Sequence, residues 1–284
     1  MEIYTIAVCT LAENPHLNQC LESLMSVQKS HPCIVKIMLV VNKYEIGRGI
    51  QVPSGVKVVY EPLRGFSNVR NAAVLNVSAD SNLIFIDDDE FVDSNWFESL
   101  KAAHEKFPED ALFGPVFSTS ESTEASYRNR FKKQFMDMED ESLVKQASTA
   151  NLLIPAKVLA TGLVSFDPVF NLSSSEDTDL CFRLRNHGYK IRFVKNAVIY
   201  EDEKEDRFSK TYLDKRFIRD VSNYSYVLRK NSNFPQVLKR FSTLLLRVVF
   251  YSLASIFVSS YEVRKLAYTN SLRVLLTNKV QDHL

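Results

Sequence analysis

Four acidic residues, Asp87-Asp88-Asp89-Glu90, close the apolar run Leu83-Ile84-Phe85-Ile86. Adjacent carboxylates repel one another, and the repulsion grows at the end of a buried strand, where the dielectric is low. A divalent cation that prefers carboxylate oxygen, Mn²⁺ or Mg²⁺, removes the conflict. Alternation along a strand sends Asp87 and Asp89 to one side and Asp88 to the other, so a DxD pair can face one ligand. A solvated acidic turn that simply ends the strand accounts for the same residues.

A second acidic pair is Glu176-Asp177. Ser173, three residues before Glu176, has capping-box spacing, and acids in a first turn suit the helix dipole, which accounts for Glu176 and Asp179. Asp177 differs, because Leu180, Cys181 and Leu184 follow at i+3, i+4 and i+7. It heads an apolar stripe and should face the core or a cleft, where desolvation raises a carboxyl pKa and suits a general base. Third is Gly65-Phe66-Ser67-Asn68-Val69-Arg70, with Gly65 for a tight loop, Ser67 as an N-cap and Arg70 in the first turn. A helix N-terminus with a guanidinium makes a diphosphate site, though a surface arginine on an ordinary helix reads the same way. Asn42, ending another apolar run, offers either an amide for a base edge or a turn former.

These groups need a scaffold that brings them together. Ile3–Thr10, the run ending at Asn42, Val56–Glu61 and the run ending at Asp87 read as strands, and helical periodicity falls between them. Continuously apolar strands alternating with helices predict an α/β fold with a mostly parallel sheet covered on both faces. Ligands of such sheets sit beyond the carboxyl ends of the strands. Regularity lapses from Ser118 to Ser148, where the segment from Arg128 to Asp140 reads as a flap. It resumes at Ala150, with a helix after Ser173 stopped by Gly188.

The chain has 284 residues, 35 Lys and Arg against 34 Asp and Glu, and a formal net charge of +1, which gives no reason to expect a nucleic-acid partner. Residues 207–284 hold 14 basic and 4 acidic residues; residues 1–206 hold the remaining 21 and 30, balances of +10 and −9. This divides the chain into a catalytic-sized body, 1–206, and a basic helical tail, 207–284. Four cysteines without metal spacing read as reduced thiols, and no secretory signal pattern opens the chain, pointing to the cytoplasm. GxSxG, Walker and GxGxxG motifs are absent, which removes support for serine hydrolases and Rossmann enzymes.

The order of six segments resembles family 2 glycosyltransferases of the GT-A fold: IAVCTLAENPHLNQCLESL, GFSNVRNAA, LIFIDDDEFVDSNWFESL, STANLLIPAKVL, FDPVF and SEDTDLCFRLRNHGYKIRFV. RFSKTYLDKRFIRDVSNYSYVLRK is similar to the helix after the catalytic region in bacterial members that build surface polysaccharides. The resemblance implies an inverting, metal-dependent transferase with a UDP- or dTDP-sugar donor and a glycan or lipid-linked acceptor. It implies Asp89 as metal ligand, Asp87 at the metal and donor ribose, and Asp88 assisting. Asp177 stands at the catalytic base with Glu176 beside it, Thr10 and Glu13 where the nucleotide is held, and Arg70 near the diphosphate. Two departures stand out. Asn42 lies where many members carry an acidic cluster, and Glu201 or Asp202 lies where many place a metal-binding histidine. A nucleotidyltransferase and a catalytically silent sugar-nucleotide or membrane-binding module are the competing classes.

In the tail, Phe241–Tyr261 is mostly apolar, with Arg247 inside and Lys239, Arg240, Arg264 and Lys265 at its flanks. Its charge-free run, 248–261, is too short to span comfortably. In-plane membrane association on the cytoplasmic face of the inner membrane is expected, against packing on the body or on a second copy in a homo-oligomer.

Overall fold

The structure is a computed structural model and describes residues 2–46, 51–119, 134–202, 207, 209–258, 261–277 and 279. The part of the flap around Arg128 lies outside these residues.

Strand β1 (Ile3–Thr10) pairs in parallel with β2 (Val35–Val41) and β4 (Ser81–Asp87), and β3 (Lys57–Tyr60) pairs in parallel with β2. Beyond β4 the order continues through β8 (Asn151–Ile154), β6 (Ala111–Phe113) and β9 (Ile191–Phe193), giving β3-β2-β1-β4-β8-β6-β9. Only β8 runs against its neighbours, so the sheet is mostly parallel, as the alternating pattern requires. A small second sheet holds β5 (Glu90–Val92), β10 (Ile199–Glu201) and β7 (Val116–Ser118), in the order β5-β10-β7.

Side-chain alternation shows why the strands carry no polar face. Ile6, Val8, Ile37, Leu39, Ile84 and Ile86 enter one core with Leu17, Leu21 and Leu24 of α1 (Leu17–Ser30) and Leu100 of α3 (Trp96–Lys106). Ala7, Met38, Val40, Leu83 and Phe85 enter the opposite core with Ala73 of α2 (Phe66–Asn76), Val158 of α4 (Ala156–Leu159), and Leu180 and Leu184 of α5 (Glu176–Asn186). A strand apolar on both faces can be satisfied only by layers on both sides. The four cysteines are free thiols.

The tail is helical: α6 (Lys210–Asn231), α7 (Phe234–Ala254) and α8 (Tyr261–Thr277). Leu244, Tyr268 and Leu275 form its own small core. Asp179 of α5, fully buried, bonds Arg183 at 2.9 Å, Asn231 at 2.9 Å and Lys230 at 2.9 Å. It therefore fastens the end of α6 to the body, a task beyond the dipole role its first-turn position suggests.

Candidate active site

The parallel register places Cys9 beside Asp87, so β1 and β4 open at the same edge of the sheet. Strand β4 stops at Asp87, and a turn at Asp88-Asp89, not continued alternation, separates the side chains. Asp88 goes to the loop after β1, where the Thr10 hydroxyl and the Asn14 amide (2.8 Å) donate to its two oxygens. Thr10 Oγ1 in turn accepts from the Ala12 N–H at 2.8 Å, with Ala12 in the left-handed region at φ 58°. Glu13 is exposed and paired with Lys43. Cys9 lies beside this loop with its thiol pushed up to about 12 by burial, which makes it a poor nucleophile.

Asp89 faces the other way. Its Oδ2 lies 3.7 Å from an Arg207 nitrogen, and Arg207 also bonds Glu201. Burial lifts the Asp89 pKa to about 7; Glu201 and Asp87 push it further up, and Arg207 opposes them. Asp202 is turned aside, accepting from the Thr119 hydroxyl at 3.3 Å and lying 3.7 Å from His16. Glu201 thus shares a cation with Asp89, whereas Asp202 does not join them. Among the described residues, no three His, Cys, Asp or Glu side chains form a ready metal cage. A Mg²⁺-type ion needs none, because it commonly takes one or two carboxylates and completes its shell with substrate phosphate and water. The donor set here, hard oxygen with surplus negative charge, fits that chemistry.

Arg70 links the two acidic motifs. The helix begins at Phe66 with Gly65 as its cap, so Arg70 falls in the second turn, and Ser67 is not the cap. Ser67 is buried and donates to the Asp167 carbonyl at 2.7 Å. Gly65 has φ 149°, and a Cβ there would fall 2.2 Å from the Asn171 side chain. Asn171 holds the start of α2, its carbonyl accepting from the Phe66 N–H at 3.2 Å and its side chain from the Asn68 N–H at 3.1 Å. So fixed, buried Arg70 donates to Glu176 at 2.6 Å and to Asp87 at 3.4 Å. Burial opposes its charge, but Glu176 and Asp87 more than compensate and keep it protonated.

Asn42 is committed elsewhere. Its amide donates to the Glu61 (2.9 Å) and Leu63 (2.8 Å) carbonyls and its oxygen accepts from the Gly65 N–H at 2.8 Å. With both amide hydrogens taken by the main chain, Asn42 shapes the loop before α2. This corrects the expectation of an amide presented to a base edge.

Helix α5 starts at Glu176 itself, behind Ser175, so the Ser173–Glu176 capping box does not form. Glu176 goes to Arg70 instead. Ser174 and Ser175 adopt φ 58° and 82°, left-handed values that cost of order 1–3 kcal/mol each in a non-glycine residue. That strained corner turns Glu176 inward and leaves Asp177 half-buried, its Oδ1 accepting from the Thr178 N–H at 2.6 Å. Burial raises the Asp177 pKa; Arg70 and Thr178 lower it, and Asp220 of α6 raises it. Burial likewise lifts Glu176 above the ordinary carboxyl range, against Arg70.

Two adjoining basins result. One, of about 720 Å³, is walled by Thr10, Glu13, Asn42, Gly65 and Asp88. The other, of about 630 Å³, is walled by Ser175, Glu176, Asp177, Glu201 and, from α6, Tyr212, Phe217, Arg219 and Asp220. Phe66, Arg70, Asp87, Asp89 and Arg207 line both. Sequence reasoning missed Arg207, the serine corner and the α6 wall. Three consecutive serines before an acidic pair were the available signal for the corner, while nothing local marks Arg207.

Comparison of whole folds defines the class. The chain superposes on GalNAc-T7 with UDP, GalNAc and Mn²⁺ at a TM-score of 0.63 and 13% identity, covering 97% of this chain. It spans little more than half, 56%, of that protein. It superposes on S. aureus TarS 1-349 in complex with UDP-GlcNAc at 0.64 and 15% identity, covering 98% of this chain and 81% of that one. The architecture is that of the GT-A glycosyltransferases. The chain belongs to the family described as "Glycosyltransferase like family 2", whose model matches residues 2–223, past the body and into α6. It is 24% identical over 236 residues to the succinoglycan biosynthesis protein ExoM of Rhizobium meliloti (strain 1021), covering 80% of this chain and 76% of that protein. Membership of the family makes it a glycosyltransferase that uses a nucleotide-sugar donor, which sets aside the nucleotidyltransferase alternative.

Proposed function

We propose that the chain is an inverting, metal-dependent transferase that moves a sugar from a UDP- or dTDP-sugar to a hydroxyl of a glycan or lipid-linked acceptor. The observation that carries this reading is the single cleft that holds Asp87 and Asp89 together with Glu176 and Asp177, cross-linked by Arg70. The nucleotide lies in the basin of Thr10, Glu13 and Asp88, and the acceptor enters the basin walled by α6, where Phe217 and Tyr212 offer aromatic surface.

Asp177 accepts the acceptor's hydroxyl proton, a task suited to a carboxylate whose pKa burial has raised. Glu176 holds Arg70 in place, and Arg70 keeps fixed positive charge beside Asp87, where the diphosphate departs. Asp89 and Asp87 would hold the Mn²⁺ or Mg²⁺, with Glu201 within reach once Arg207 yields. The cation supplies charge neutralisation for the leaving diphosphate. One base and no second carboxylate placed as nucleophile imply direct displacement with inversion.

The UDP ligands of the TarS and GalNAc-T7 structures support a UDP donor, and the Mn²⁺ of the latter supports a divalent ion. The likeness to a succinoglycan biosynthesis protein supports bacterial surface polysaccharide as the product. The division into a body, 1–206, and a tail, 207–284, assigns donor chemistry to the body and lets α6 complete the acceptor basin. The tail would hold the enzyme peripherally on the cytoplasmic face of the inner membrane, where a lipid-linked acceptor is met. The test is thermal stabilisation by a panel of UDP- and dTDP-sugars in Mn²⁺, in Mg²⁺ and in EDTA. Stabilisation by at least one donor, lost in EDTA, is expected. No response to any donor, or a response indifferent to EDTA, overturns the assignment.

A further inference from the structure

Helix α7 carries apolar side chains on two opposite faces. Inward, Leu244 is fully buried, and Val237, Phe241, Val248 and Tyr251 pack around it against Tyr268 and Leu275. At 3.6 residues per turn, Leu238, Leu245, Leu246, Val249, Phe250 and Leu253 fall on the other side. They are exposed there, Leu246 by 72% and Leu253 by 62%, and the stripe continues through Ile256 and Phe257, the latter 86% exposed. A contiguous apolar face of this length marks an interaction surface, because scattered single leucines would not align along one helix.

We infer that this outward face of α7 docks on an anionic lipid surface, with the helix lying in the plane of the interface. Charge selects the occupant. Phe234–Ala254 contains Lys239, Arg240 and Arg247 and no acidic residue. Arg247 sits 5.0 Å over the Tyr268 ring, Arg240 5.1 Å over Tyr224, and Arg264 of α8 5.7 Å over Tyr251. A ring face attracts a guanidinium without neutralising it, so the positive charge remains available to a second partner. Anionic headgroups cancel that charge, and acyl chains receive the leucines. A second copy laid face to face on α7 would set cation against cation. Among the described residues no helix is long and apolar enough to cross a membrane, which leaves the in-plane orientation. Docking also places the acceptor basin, since α7 packs on α8, α8 on α6, and α6 walls the basin. That last consequence rests on the reaction proposed above; the docking itself does not.

The experiment is flotation of the full chain with vesicles of phosphatidylcholine alone and of phosphatidylcholine mixed with phosphatidylglycerol. Wild type should float with the mixed vesicles, weakly with neutral ones, and less in high salt. The double variant Leu246→Glu, Val249→Glu should lose binding by about tenfold or more while keeping its melting temperature, because both side chains are already exposed. Lys239→Gln should weaken binding only to anionic vesicles. The inference is overturned if wild type fails to float, or if the double variant floats as well as wild type. It is equally overturned if sedimentation without lipid shows a dimer that the double variant dissociates, since the occupant is then a second copy. Flotation needs no donor or turnover, so its failure leaves the transferase reading untouched, and an inactive enzyme leaves flotation readable.

Discussion

Arginine is used in opposite ways in the body and in the tail. In the body it is answered by carboxylate: Arg70 by Glu176 and Asp87, Arg183 by Asp179, Arg192 by Asp110. In the tail Arg240, Arg247 and Arg264 rest on tyrosine rings. Paired charges fix a geometry, because a buried arginine deprived of its acid pays a desolvation cost that nothing offsets. Charges on neutral rings fix little and stay available to a partner. Apolar side chains divide the same way, with the strands of the body buried on both faces and α7 buried on one. The body is built to hold a constellation still, the tail to adhere.

The sharpest way to separate the two regions is Asp177→Asn. Asparagine keeps the oxygen that accepts from Thr178 N–H but cannot take a proton at neutral pH. Removing a positioned general base costs roughly 10²–10⁴-fold in turnover, whereas the Leu246→Glu, Val249→Glu pair should leave transfer to a soluble acceptor unchanged. The melting temperature of Asp177→Asn should hold or rise. A carboxyl whose folded pKa is raised costs stability at pH values above that pKa, and the amide removes the cost. Product formation and donor titration together check this, and a variant that fails to bind donor would show that Asp177 has a structural task instead.

Arg70→Ala tests the fixing role. It strands Glu176 as a buried carboxylate and should cost about 3–5 kcal/mol of stability, a loss visible as a melting shift on the order of 10 °C. Because Glu176 then takes up a proton more readily, the deficit should shrink as pH falls. A melt unchanged at neutral pH would mean that the pair does not hold the cleft together.

The fold was legible wherever one physical demand governed a stretch of chain. Continuous apolarity at Ile3–Thr10 and Ser81–Asp87 can be satisfied only between two layers, and both strands lie there. The acid pairs were legible because adjacent carboxylates at a strand end and at the head of an apolar stripe are costly unless used. Asn42 was misjudged because the Glu61 and Leu63 carbonyls that take its amide arrive from a loop about twenty residues away, a distance no local pattern spans. The Ser173–Glu176 spacing misled for a related reason: Arg70, 106 positions from Glu176, competes for the same carboxylate and wins with full charge. Arg207 left no trace at all, since its partners Asp89 and Glu201 meet it only after the sheet has formed.

A smaller effect is expected at Asp89. Burial and its acidic neighbours hold its pKa at about 7, so proton and cation compete for the same oxygen near neutrality. Mn²⁺ affinity should tighten as pH rises through 7 and weaken by up to about tenfold per unit below it. Calorimetric titration on either side of neutrality reads this directly, and a flat profile would place the ion away from Asp89.

The smallest effect should come from the tail's counterpart to Arg70. Arg247 is exposed and its partner is the face of Tyr268, 5.0 Å away. A cation over a ring at an exposed site contributes about 0.5–1 kcal/mol, so Arg247→Ala should move the melting point by only about 2–4 °C. Nothing buried is left uncompensated, and the shift should not depend on pH, since neither a guanidinium nor a tyrosine ring titrates in the physiological range. Parallel melts of Arg247→Ala and Arg70→Ala across that range therefore set the two uses of arginine side by side. If the exposed arginine proves as costly to remove as the buried one, the tail is held by its cations as firmly as the body, and the contrast between a fixed site and an adhesive surface fails.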